Sequence, residues 1–120
     1  MPQYMITFGA GAMDHIAEGD IPAVAKAARA ICRDAINAGV YVLAGGLEDQ
    51  PASIVAADGT VTGGSKPDAI GGIMVVDVSS RQEALKWAAR VAGACRCAQE
   101  VREIGYDSEL NALWRSRQSG

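Results

Sequence analysis

Residues 69–91 read AIGGIMVVDVSSRQEALKWAARV, a β-prone run, two serines and a helical pattern in that order. No other stretch limits the fold as much. AIGGIMVVDV (69–78) is the strongest strand signal in the chain, rich in β-branched residues. Ser80 and Glu83 have the spacing of a capping box, which satisfies free amides at a helix start. Ala84, Ala88 and Val91, joined by Trp87, recur three or four apart and mark the inward face of that helix. Gly93 is expected to end it. CRCAQEVREI (95–104) alternates and reads as a last strand, with Arg96, Glu100 and Arg102 sharing one face. A strand, a helix and a strand in this order form one βαβ unit.

The first half of the chain repeats that order. QYMITFG (3–9) reads as a strand and 9–19 as a loop. Asp20 suits an N-cap, and Pro22 lies in the first turn, where its missing N–H costs nothing. Ile21, Val24, Ala28, Ile31, Ala35 and Ala38 make one apolar helix face, and Gly39 suits the left-handed residue that ends the helix. VYVLAGGL (40–47) is a strand. Between the halves, Asp58-Gly59 in SIVAADGTVT (53–62) predicts a hairpin with a two-residue type I′ turn. The order predicts an α+β domain: a ferredoxin-like βαβ-hairpin-βαβ arrangement, an antiparallel sheet with both helices on one face. Its span is 1–104. Residues 105–120 form a tail, with Ser108 as the expected cap of a short helix bearing Leu110, Leu113 and Trp114. The uncovered sheet face is apolar, so a homodimer packed sheet to sheet is expected.

Charge and composition exclude several classes. The 120 residues carry a net charge of −3 without a basic stripe, which disfavours nucleic acid. No apolar run reaches the ~20 residues of a membrane span, and the start has no signal-peptide pattern. Cys32, Cys95 and Cys97 are an odd set, expected to be reduced thiols in the cytoplasm. With a single histidine, a tetrahedral metal site is not expected, and nothing in the sequence calls for a cofactor. Gly63-Gly64-Ser65-Lys66 lacks the spacing and the following helix of a P-loop.

The candidate site residues lie in loops and at strand ends. His15, the only histidine, follows Asp14 in the loop after the first strand, a place for a general base. A solvent-exposed loop histidine is the competing reading. Glu48 is a second carboxylate within reach of such a base, or a solvated turn residue. Lys66 and Asp68 stand as polar residues at a pocket rim, or as parts of a flexible connector. Gly45-Gly46 and Gly71-Gly72 interrupt strands, so each pair makes room for a ligand or for close packing.

GGLEDQPASIVAADGTVTGG (45–64), then AIGGIMVVDVSSRQEALKWAARV (69–91) and the closing Glu100-Val101-Arg102, resemble the YCII-related domain family, in particular its DGPF branch. The resemblance spans residues 3–104 and is most specific in the second half. It implies a dimeric α+β barrel. Some relatives are thought to use a His–Asp pair in a pocket between sheet and helices. DGPF members accompany extracytoplasmic-function sigma factors in bacteria. Here the aromatic of the D-G-P-F loop is missing, and its aspartate is displaced to Asp68.

Two functions follow as expectations. One is a small-molecule pocket between sheet and helices, with acid–base isomerase or lyase chemistry from His15 and Asp14 or Glu48. The other is a non-enzymatic partner of a regulatory protein such as a sigma factor.

Overall fold

The computed structural model describes residues 1–64 and 69–118. Its elements are β1 (Gln3–Gly9), α1 (Ile21–Asn37), β2 (Tyr41–Gly46), β3 (Ala52–Val55), β4 (Val61–Gly64), β5 (Ile70–Asp77), α2 (Arg81–Cys95), β6 (Glu100–Glu103) and α3 (Ser108–Gln118). Four strands form one sheet in the order β2-β5-β1-β6, and every neighbouring pair is antiparallel. β3 and β4 form a separate hairpin. The chain is therefore α+β with a mostly antiparallel sheet. No helix among the described residues is long and apolar enough to cross a membrane.

Strand periodicity sorts the sheet into two faces. Tyr4 and Ile6 of β1 and Met74 and Val76 of β5 are buried in one core with Ala35 of α1 and Ala84 and Ala88 of α2. Ile6 and Val76 are almost wholly inaccessible, at 1% and 0%. Trp87, Val91 and Val101 pack against this core. Met5, Ile73, Val75 and Leu43 point to the opposite face, where Leu43 keeps 46% of its surface exposed. A register shift between Tyr41 and Leu43 leaves Val42 without a partner across the ladder.

Several boundaries differ from the sequence reading. α2 runs past Gly93 to Cys95 and ends where Arg96 takes a left-handed conformation, φ 57°. One glycine costs a helix about 1 kcal/mol, too little to stop this one. Cys95 is thus helical and shares no strand face with Cys97, and the last strand is only Glu100–Glu103. Arg96 leaves the supposed charge ladder to pair with Asp20, 3.3 Å away. Only Arg102 and Glu100 approach along β6, at 4.0 Å. Asp20 precedes α1 but makes no capping bond, since a 3-10 turn over Glu18–Asp20 holds it in helical geometry. At α2 the cap forms, with the Glu83 amide donating to Ser80 Oγ at 3.2 Å. Asp107, not Ser108, caps α3, accepting from the Leu110 amide at 2.9 Å. Of the α1 stripe, Val24 and Ala35 are buried, whereas Ile21 stays 41% exposed.

The hairpin joins at the predicted place by a different turn. A type I′ turn needs positive φ at two residues, and only Gly59, at +90°, has it. The Gly59 amide donates to Ala56 and the Thr60 amide to Asp58 Oδ1, so the aspartate side chain shapes the turn without a positive φ of its own. These bonds to Thr60 also hold the Asp58 carboxyl below its ordinary value.

Burial raises the thiols of Cys32, Cys95 and Cys97 above their ordinary values. Burial, and then Glu103, raises the Tyr4 phenol. An unfolded chain loses these protons first, so stability present at neutral pH declines as pH climbs above about 8.5 to 10. Melting temperatures measured across that range are expected to fall, and replacing Cys95 by Ala should flatten the early part of the decline.

Candidate functional site

The sheet and the helices do not close completely. Between them lies a cavity of about 480 Å³, floored by Ile6, Ala44, Gly46 and Met74 and roofed by Val24, Ala28 and Cys32 of α1 and Val91 and Cys95 of α2. That volume suits a small organic molecule. Its polar groups are few: Tyr41, Arg29, Gln99 and the two thiols. No carboxylate and no imidazole belongs to its described lining.

Glycines shape this space in two ways. Gly46 pairs with Gly72 across the β2–β5 ladder. The Phe8 ring lies over Gly72, where any added Cβ would collide with it. Gly46 is different: a Cβ built there meets nothing within 4 Å. One glycine of the pair makes room for an aromatic wall, and the other leaves the floor open.

A second, more open hollow of about 600 Å³ lies beyond Phe8 and Gln99, which border both. Thr7, His15, Ile70, Cys97 and Glu100 line it. His15 is exposed at its edge. Among the described residues, no hydrogen bond or ion pair joins His15 to a carboxylate.

The sequence candidates therefore separate. Gly45 and Gly46 line the apolar cavity, and His15 borders the outer hollow. Asp14 is exposed, with its carboxylate turned toward Gly11. Glu48 sits in the exposed turn after β2 and lines neither space. Lys66 and Asp68 lie outside the described residues. Sequence reasoning missed Arg29, Gln99, Tyr41 and the Cys32 and Cys95 thiols as lining residues. Arg29 follows Ala28 at the edge of the apolar stripe and stays exposed, so it reads as solvent-facing until the cavity beside α1 is placed. Among the described residues, three His, Cys, Asp or Glu side chains do not come together as a metal site.

No family model matches the chain, and no curated protein matches it in sequence.

Proposed function

We propose that this protein binds a small apolar molecule with one anionic end, in the cavity between the sheet and helices α1 and α2. The carrying observation is the lining itself: an almost wholly apolar space of about 480 Å³ with a guanidinium, Arg29, at its border. Apolar walls supply affinity, and a few placed polar groups supply orientation. Among the described residues Arg29 has no carboxylate partner, so its charge is available to a ligand. The described lining holds no carboxylate and no imidazole, so the reading favoured is binding. His15 and Glu100, both at the outer hollow, are where acid–base chemistry would enter.

The family reading is a YCII-like protein of the DGPF type with a ferredoxin-like fold. The strand order β2-β5-β1-β6, with neighbours antiparallel and helices after β1 and β5, supports it. Free cysteines support a reducing, cytoplasmic setting. The assembly reading is a homodimer through the open sheet face, supported by Leu43 and the apolar residues Met5, Ile73 and Val75 beside it.

Decanoate and decanol test the ligand class. A ligand at 100 times its Kd stabilises the folded state by about 2.7 kcal/mol, which raises Tm by several degrees. Decanoate is expected to raise Tm more than decanol. Arg29→Ala should remove the difference, weakening decanoate a few-fold, as expected for an exposed ion pair. Equal shifts for both compounds would discard the anionic end, and no shift for either would discard the binding reading.

A further inference from the structure

The β3–β4 hairpin and helix α3 stand away from the body of the chain. Among the described residues the hairpin strands pair only with each other, and Val55 and Val61 are 64% and 62% exposed. On α3, Leu110, Leu113 and Trp114 make a stripe at i, i+3 and i+4, each about 60% exposed. Neither element is self-sufficient: an isolated two-stranded hairpin is marginal in water, and so is a helix of 11 residues.

The amount of uncovered surface is large. The chain exposes 8411 Å², against roughly 6,100 Å² for a compact monomer of its mass. Its radius of gyration is 16.3 Å, against roughly 13.6 Å for a compact chain of this length. The excess is about 2,300 Å² per chain. Two copies burying that much would make an interface of obligate-dimer size, roughly 2,000–5,000 Å².

Topology decides how copies meet. β2 ends and β5 begins at one end of the sheet, so the hairpin leaves from that end, on the β2 side. β6 is the opposite edge, and Glu103 pairs with Tyr4 at the other end, so α3 leaves from the diagonal corner. Within one chain the two are kept apart by the sheet. A two-fold axis along the other diagonal sets the hairpin of one copy against α3 of its partner, and does so twice. Their charges match: residues 47–64 hold Glu48, Asp49 and Asp58 without Lys or Arg, and the last turn of α3 holds Arg115 and Arg117.

We infer that the occupant of these surfaces is a second copy of this chain, each hairpin clamping the partner's α3 across a face-to-face dimer. This rests on the sheet-face dimer proposed above and adds the two arms. Sedimentation velocity on the full chain is expected to show a dimer at micromolar concentration. Trp114→Ala should weaken it about 30-fold or more, as for a buried aromatic anchor. The paired change Arg115→Glu and Arg117→Glu should weaken it about tenfold. Mixing that chain with one bearing Glu48→Lys and Asp49→Lys should restore assembly as a heterodimer, a result that loss of folding cannot imitate. A wild-type monomer, including one that instead captures a different protein, overturns both the dimer and the clamp. A dimer indifferent to Trp114→Ala and to the charge exchange overturns the clamp alone and leaves the sheet-face dimer standing.

Discussion

Replacing Ala88 by Asp is expected to unfold the protein or to lower its Tm by tens of degrees. Ala88 is 6% exposed, on the α2 face that packs against Tyr4, Ile6, Met74 and Val76. Those neighbours offer no partner for a carboxylate apart from the Tyr4 hydroxyl, which already interacts with Glu103. An uncompensated buried charge costs several kcal/mol, and a domain of this size has only about 5–15 kcal/mol in total. Ala89 is the control, because it lies one residue along the same helix and is exposed. Ala89→Asp should change stability by no more than about 0.5 kcal/mol. Urea denaturation followed by circular dichroism measures both. If Ala88→Asp melted like the parent, the helix would not pack by the face assigned to it.

The Gly46→Phe variant is expected to fold normally and to lose ligand binding almost completely. No atom lies within 4 Å of a Cβ at that position, and Gly46 has no positive φ that a side chain would strain. A phenyl ring growing from the floor would fill the space left open beside the Phe8 wall. Filling a void in this way adds apolar contact, so Tm should hold or rise. Decanoate binding, read by calorimetry, should fall below detection. Gly72→Phe makes a destabilised comparison, since the Phe8 ring already occupies that place.

Local chemistry made much of this fold legible. The strand over residues 70–77, the Ser80 cap and the inward residues Ala84 and Ala88 follow from periodicity and capping alone. What stayed hidden depended on tertiary competition. Arg96 reads as a strand residue, but α2 runs on to Cys95 and leaves Arg96 as its left-handed cap, beside Asp20. The Asp58-Gly59 turn reads as type I′, because the dipeptide does not reveal that the aspartate will bond to the Thr60 amide. The site was half legible for the same reason. Paired glycines announce spare room in a strand, and Gly46 has it. Which side chains border that room is decided by how α1 lies on the sheet, so Arg29 could not be placed. His15 stands out for its chemistry, but its position depends on a loop whose course periodicity does not encode. The hairpin shows a further limit. Its strands were readable, but their separation from the main sheet was not, because hydrogen-bond partners across the chain leave no local trace.

The cavity between the sheet and the helices is the site proposed for a ligand. Backbone amide spectra of the labelled protein, recorded while decanoate is added, test it most directly. The largest saturable shifts should map to Val24, Ala28, Cys32, Ala44 and Gly46, which border one space but come from two separate elements. The same titration of Gly46→Phe should leave those resonances unmoved. Shifts scattered over the exposed faces of the hairpin and α3, or the same shifts in both proteins, would contradict the account.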